Sequence, residues 1–339
     1  MTMDKRFYRW TSLFTLLFAC PLAFSCTTVF ANHKGPIKVV ARSMDLYVSD
    51  MPMILSQPQG QTHSGQADKN SLTWTSKYGS LVVTAFHSSA VSDGINEKGL
   101  AAHLLYLTGS EYPASKANTP EISNASWAQY ILDNFASVDE AIKGTKNINL
   151  VATKIQGRTW PIHLALEDAS GDSAIIEFIK GKAQIYHGKQ YRVMTNEPAY
   201  NIQLANLKLY KGFGGIRSLP GDSDPLSRFV RAATYLKTLP SATTEVDAVA
   251  GILSVIRSAM VPFGAVDTSG NATEDAWPTR WVSVADVTHH RYFFNSTTSP
   301  NIIWFNLDKI NFSKAAPVLS IDPSDIRLEG DITDKLKPE

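Results

Sequence analysis

Two apolar periodicities alternate along this chain, and their order limits the folds open to it. Short β-branched and apolar runs of the kind that form strands occupy 26–31 and 37–42, with the turn-rich Asn32-His33-Lys34-Gly35-Pro36 between them as a hairpin. Similar runs lie at 81–86, 100–107, 162–167, 174–179 and 192–195. Asp93-Gly94-Ile95-Asn96-Glu97-Lys98-Gly99 reads as a turn-rich connector ahead of 100–107. Apolar residues at helical spacing mark 126–135, 200–209, 225–239 and 245–260, after which strand-like runs return at 281–284, 292–295 and 302–307. Strands, then helices, then strands again argue for an α+β layered domain and against a parallel sheet of βαβ units. With no internal repeat or low-complexity linker, residues 26–339 are expected to form one domain. The polar, charged stretch 320–339 is expected to fray.

A separate logic governs the first 25 residues. Lys5, Arg6 and Arg9 precede an apolar run over 11–24 that is broken only by Pro21 and is too short to span a bilayer comfortably. Ala23 and Ser25 place small residues at the third and first positions before Cys26, as a signal-peptide cleavage site requires. The cut is expected between Ser25 and Cys26, giving an exported, periplasmic or secreted protein. No later stretch is long and apolar enough to cross a membrane, so no membrane partner is expected for the mature chain. Loss of Lys5, Arg6, Arg9 and Asp4 takes the formal charge from +1 to slightly negative. That balance argues against a nucleic-acid partner.

The cut also changes what the cysteines can do. Of the two, Cys20 leaves with the leader, so Cys26 is a lone thiol and no intrachain disulfide can form. A lone cysteine in an exported protein is a buried structural residue, an intermolecular bridge or a reactive group. Packing gives no reason for a cut that makes it residue one. Leu17-Phe18-Ala19-Cys20 and Ala23-Phe24-Ser25-Cys26 each loosely resemble lipoprotein processing sites, so a lipid-anchored, non-catalytic binding protein is the alternative. A free N-terminal cysteine carries its own general base, since an α-amino group titrates at roughly pH 7.7–8.0. Arg42 closes the second strand run, and a short turn sets it beside Cys26, where a guanidinium favours the thiolate. Asp45 comes three residues later, placed to hold the amine; equally, Arg42 and Asp45 read as a local ion pair.

Two later segments add polar groups. Thr195-Asn196-Glu197-Pro198 lies just past a strand, where the Asn196 amide can donate to an oxyanion or simply form a turn before a helix. Arg228 falls in the first turn of the helix over 225–239, an end where the helix dipole disfavours a cation, which hints at a partner. His289-His290, read as adjacent strand residues, point to opposite faces, so no metal is expected. Gly212-Phe213-Gly214-Gly215 lacks the lysine and spacing of a phosphate loop, and no cofactor is expected.

Taken together, Cys26-Thr27-Thr28, Ala41-Arg42-Ser43-Met44-Asp45, Asp93-Gly94-Ile95-Asn96-Glu97-Lys98-Gly99-Leu100, Thr195-Asn196-Glu197-Pro198, Leu219-Pro220-Gly221-Asp222 with Ser227-Arg228-Phe229, and the 281–292 stretch resemble the choloylglycine hydrolase family of N-terminal-nucleophile hydrolases. That family holds bile-salt hydrolases and penicillin V acylases, and some members that cleave N-acyl-homoserine lactones. The resemblance implies an αββα four-layer sandwich, hydrolysis of a linear amide in a small N-acyl substrate, and a homo-oligomer, often a tetramer. It implies Cys26 as nucleophile with its α-amine as base, flanked by Arg42 and Asp45. Asn196 becomes an oxyanion donor and Arg228 a further active-site charge. Departures fall where substrate is chosen: Leu46 stands where many relatives have an aromatic residue, and Tyr106 aligns with a second oxyanion position. Both lean away from a typical bile-salt enzyme. The 51–65 loop, with Met51, Met53, Ile54 and Leu55, is expected to offer an apolar wall, though a Met-rich segment is more often core.

Overall fold

Thr27–Ala31 and Val39–Asp45 pair antiparallel, with Thr28 opposite Arg42 and Ala31 opposite Val39. Their β-branched residues suit a pleated surface, and every residue of Val39–Asp45 is buried, as befits a central strand covered on both faces. This hairpin sits inside a sheet in the order Val193–Met194, Thr27–Ala31, Val39–Asp45, Thr279–Asp286, Arg291–Ser296, Ile303–Asn306, Gly330–Asp331. The computed structural model describes residues 26–32, 35–152, 154–155, 157–212, 217–265 and 277–339. The expected leader at 1–25, His33 and Lys34 of the first turn, and Phe213-Gly214-Gly215 lie outside the described residues.

A second sheet runs Lys182–His187, Ser173–Ile179, Ile162–Glu167, Ala101–Tyr106, Val91–Asn96, Ser80–Thr84, Met53–Gln57, Leu319–Ile321, Lys337–Pro338. Its strands show why it must lie between two layers. Leu81, Val83, Ala101, Leu105, Ala165 and Ile175 join one apolar cluster, shared with Val29, Val40, Trp281 and Phe294 of the first sheet. Their alternates Val82, Ala102, Leu104, Leu164, Leu166, Ala174 and Ile176 join another, packed against Trp127, Ile131 and Leu132. Period-two alternation with both faces apolar buries the sheet on both sides.

The covering helices complete the layers. Helices α1 (Trp127–Asn134) and α2 (Val138–Gly144) accompany the second sheet; α2 is capped by Ser137, whose hydroxyl accepts from the Glu140 amide. Helices α3 (Tyr200–Leu207), α4 (Pro225–Thr238) and α5 (Glu245–Arg257) accompany the first, with α4 and α5 packed on its hairpin strands. Asp224 caps α4 ahead of Pro225 in the first turn, and Thr244 caps α5, each satisfying an otherwise orphan amide. The result is a four-layer αββα sandwich, an α+β fold, as the resemblance implies.

Four expectations are corrected. Asp93-Gly94-Ile95-Asn96 is not a connector but most of the buried strand Val91–Asn96, with the turn confined to Glu97, Lys98 and Gly99. Gly94 is there because α1 crosses it closely: a Cβ would lie 3.0 Å from Leu132 Cδ1 and 2.8 Å from the Leu81 carbonyl oxygen. The 51–65 loop contains the strand Met53–Gln57, paired with Ser80–Thr84. Residues 320–339 do not fray, because Leu319–Ile321 and Gly330–Asp331 each add to a different sheet and Ile332 is fully buried. His289 and His290 lie in the turn between two strands, where His289 bonds Asp286 and His290 bonds Asp308.

Candidate active site

Cys26 heads the first strand, opposite the end of Val39–Asp45, and the alternation of that second strand surrounds its thiol with unlike groups. Arg42 reaches toward the second sheet. Its Nη2 donates to the Leu104 carbonyl oxygen at 3.1 Å and stands 4.0 Å from Cys26 Sγ and 3.3 Å from Met44 Sδ. Asp45 turns toward the helical layer, its Oδ2 3.9 Å from Arg228 Nη1 and 3.3 Å from the Ser43 hydroxyl that donates to it. Cys26 Sγ also lies 4.0 Å from the Asp45 carbonyl oxygen.

Asn196 and Arg228 grip the backbone of Cys26 rather than its side chain. The Cys26 nitrogen donates to Asn196 Oδ1. Arg228 Nη1 donates to the Cys26 carbonyl oxygen at 2.7 Å and to the Thr27 hydroxyl at 2.6 Å, and Nη2 donates to Asn196 Oδ1 at 3.0 Å. Arg228 Nε is held by the Ser223 carbonyl at 2.9 Å, in the segment that leads into α4. These bonds explain an arginine at the unfavourable end of a helix: its charge is spent on carbonyl and amide oxygens at the head of the first strand. Two donors on Oδ1 fix the Asn196 amide, whose Nδ2 donates to the Tyr106 carbonyl at 2.7 Å.

Burial sets the electrostatics. It pushes the Cys26 thiol up from its ordinary value; Arg42 pulls it back, Asp45 pushes it up further, and Arg228 pulls it down. At rest the thiol is therefore protonated and needs a base. Burial likewise raises the Asp45 carboxyl to about 7 against the pull of Arg228, Thr279 and Arg42, and lowers Arg228.

The thiol opens on a cleft with about 620 Å³ of atom-free space, solvent at its mouth included. Of the residues singled out from the sequence, Cys26, Arg42, Asp45, Leu46 and Tyr106 line it, while Asn196 and Arg228 stand behind it. The expected wall of Met51, Met53, Ile54 and Leu55 is absent. Met53 and Leu55 face a different cleft, and Ile54 is in the core between the sheets. The wall is instead Phe86, Trp160, Ile162, Leu104 and Trp277. Phe86 packs 4.9 Å from Trp160, and Tyr106 meets Trp160 edge-on at 6.4 Å. Sequence reading missed Phe86, Trp160 and Trp277 because none lies on a strand or helix whose periodicity would have placed it. The one local sign was aromatic residues flanked by small polar ones, as in Phe86-His87-Ser88-Ser89.

Among the described residues, one group could present three ligand atoms to a metal: Glu245, Asp286 and His289. Each already has a partner, Arg291 on Glu245 and His289 on Asp286. It lies away from Cys26, on the far end of the strand Thr279–Asp286.

Comparison with known proteins gives a consistent picture. Residues 26–326 match the family described as linear amide C–N hydrolases, choloylglycine hydrolase family. The chain is 41% identical to a penicillin V acylase of Pectobacterium atrosepticum, over 89% of this chain and 86% of that one. It is 29% identical to a bile salt hydrolase/transferase of Clostridium perfringens, over 61% and 70%. The solved penicillin V acylase of Agrobacterium tumefaciens superposes with a TM-score of 0.84 at 38% identity, covering 93% of this chain and 98% of that one. A variant of the conjugated bile acid hydrolase of Clostridium perfringens shares the fold, with a TM-score of 0.75 at 21% identity over 88% and 97%.

Proposed function

Because the chain belongs to the choloylglycine hydrolase family and is an amidohydrolase of linear C–N bonds, we propose that Cys26 is its nucleophile and that it cleaves N-acyl substrates with an apolar, preferably aryl, acyl group. The carrying observation is the aromatic cleft that opens directly on Cys26 Sγ. Penicillin V, with its phenoxyacetyl group, is the first substrate to expect; bile-salt conjugates and N-acyl-homoserine lactones are the others.

In this reading, removal of residues 1–25 on export turns the Cys26 nitrogen into an amine already seated on Asn196 Oδ1. That amine takes the thiol proton, and Arg42 favours the thiolate so formed. Sulfur attacks the acyl carbonyl, and the negative charge on its oxygen is met by an amide hydrogen that Asn196 Nδ2 does not give to Tyr106. The C–N bond breaks as the leaving amine takes the proton from the α-ammonium. Water, deprotonated by the same amine, then cleaves the thioester and releases the acid. Arg228 and Asp45 hold the first residue in place throughout. Assembly as a homo-oligomer, a tetramer by family resemblance, belongs to the same proposal and is read by native mass.

The test is amine release from penicillin V, glycocholate, taurocholate and a series of N-acyl-homoserine lactones, with Cys26→Ala as blank and an intact mass of the exported protein. Cys26-dependent release with a mass starting at Cys26 supports the reading. A lipid on Cys26, or correctly processed protein inert on the whole panel, overturns it in favour of an anchored binding protein.

A further inference from the structure

One edge of the Arg42 guanidinium points at Cys26, and besides the Leu104 carbonyl that accepts from Nη2, groups outside the cleft bear on that direction. Arg42 is only 1% exposed. Its plane rests on the Trp281 indole, 4.5 Å from the ring centre. That indole in turn donates to both carboxylate oxygens of buried Asp50, at 2.9 and 3.1 Å. Opposite the Nε edge stands Asp93 Oδ2, at 3.9 Å.

Asp93 is fully buried on the strand Val91–Asn96 and lines no part of the cleft. A buried carboxylate is costly unless donors surround it, and here they come from both sheets. His103 Nδ1 lies 2.7 Å from Oδ2, the Tyr292 hydroxyl donates to Oδ1 at 2.6 Å, and the Ser283 hydroxyl donates at 3.3 Å. Behind His103, its Nε2 lies 3.4 Å from Glu167 Oε2. Three side chains thus fix one anion beside the arginine that faces the thiol.

We infer that Asp93, held by His103 and Tyr292, is a positioning residue for Arg42: its carboxylate, at ion-pair distance rather than in a hydrogen bond, orients the Nε edge of the guanidinium so that Nη2 stays presented to Cys26 Sγ. The inference rests on Cys26 being the nucleophile, but the alkylation arm of its test does not require a known substrate.

The measurement is the rate of Cys26 alkylation by iodoacetamide against pH, alongside hydrolysis, in the parent protein and in Asp93→Asn. The charged groups facing the thiol are Arg42, Asp45 and Arg228; those facing Arg42 are Asp45, Asp50, Asp93, His103 and the Tyr292 hydroxyl. A carboxylate acting only through its field would, once removed, leave the thiolate more favoured and shift the profile to lower pH. Positioning gives the opposite sign. The guanidinium is released, the profile moves to higher pH, and kcat falls at least about tenfold with KM within about threefold. In an Arg42→Lys background the same substitution then changes the profile little, as expected when one residue acts through the other. A downward shift overturns the inference, as does an unchanged profile with lowered thermal stability, which marks a purely structural anion. If Asp93→Asn does not fold, Tyr292→Phe, which removes one donor from Asp93, is expected to give a smaller upward shift. Failure of the hydrolase reading appears separately, as absence of Cys26-dependent turnover in the parent protein.

Discussion

Arg228, in the first turn of α4, donates to the carbonyl oxygen of Cys26 at 2.7 Å, although the two residues lie far apart in the chain. The same guanidinium also holds Thr27, Asn196 and Ser223. A lysine keeps the charge but cannot serve four acceptors. Arg228→Lys is therefore expected to lower stability by about 3 kcal/mol, the scale for breaking a buried charged network, and to cut kcat by about a hundredfold. Thermal unfolding and steady-state kinetics check both.

Trp160 packs against Phe86 at a tilt of 34° at the wall of the cleft and is only half-buried, so it bears on binding more than on folding. Trp160→Ala is expected to lower kcat/KM for an aryl-acyl substrate by about ten- to a hundredfold, the loss of roughly 1.5–3 kcal/mol of apolar contact. The unfolding midpoint should barely change. Equal activity on aryl and short-chain acyl substrates in this variant would agree; an unaltered preference would place the acyl group elsewhere.

Asp133, in the last turn of α1, is buried, accepting from the Trp74 indole and the Gln129 amide at 2.7 Å each, and burial raises it from 3.8 to about 7. Asp45 and Glu167 are also raised to about 7. Between the ordinary and raised values the folded state holds protons that the unfolded chain has lost, so these three groups make stability fall as pH rises from about 4 to 7. Asp93, held below its ordinary value, acts with the opposite sign, at lower pH. The unfolding free energy should be greater at pH 5.5 than at pH 8. Asp133→Asn should flatten that slope by an amount on the order of 2 kcal/mol. Chemical denaturation at the two pH values decides.

At Gly94 the constraint is steric. Any side chain must displace either the Leu81 carbonyl or the Leu132 side chain of α1. Gly94→Ala is expected to cost about 1–3 kcal/mol by overpacking, read as a lower denaturation midpoint with an unchanged denaturant slope.

That glycine also shows what the sequence could not disclose. Asp93-Gly94 and Asn96 carry turn chemistry, and nothing local says that a helix will lie across Gly94 or that Asp93 will be surrounded by donors from both sheets. The hairpin was legible because the strands at 26–31 and 37–42 are β-rich and their turn is short, which sets Arg42 beside Cys26. Arg228 was half-legible, since its place against the helix dipole required a partner without naming Cys26. Phe86, Trp160 and Trp277 were not, because residues from three loops become neighbours only through the packing of the two sheets. The tail was misread because its charges outnumber its anchors, yet Leu328 and Ile332 suffice to seat it.

The strand that begins with Cys26 has Val193–Met194 as its other neighbour, and its hairpin partner is covered by Thr279–Asp286. Cys26 and the strand it heads thus cannot take their places until segments made long afterwards arrive. Such pairings at long sequence separation form slowly. No early fragment can assemble the site around the Cys26 thiol. The appearance of hydrolysis during refolding should therefore coincide with the slowest burial of the Trp281 indole, making the activity itself a clock for the completion of the fold.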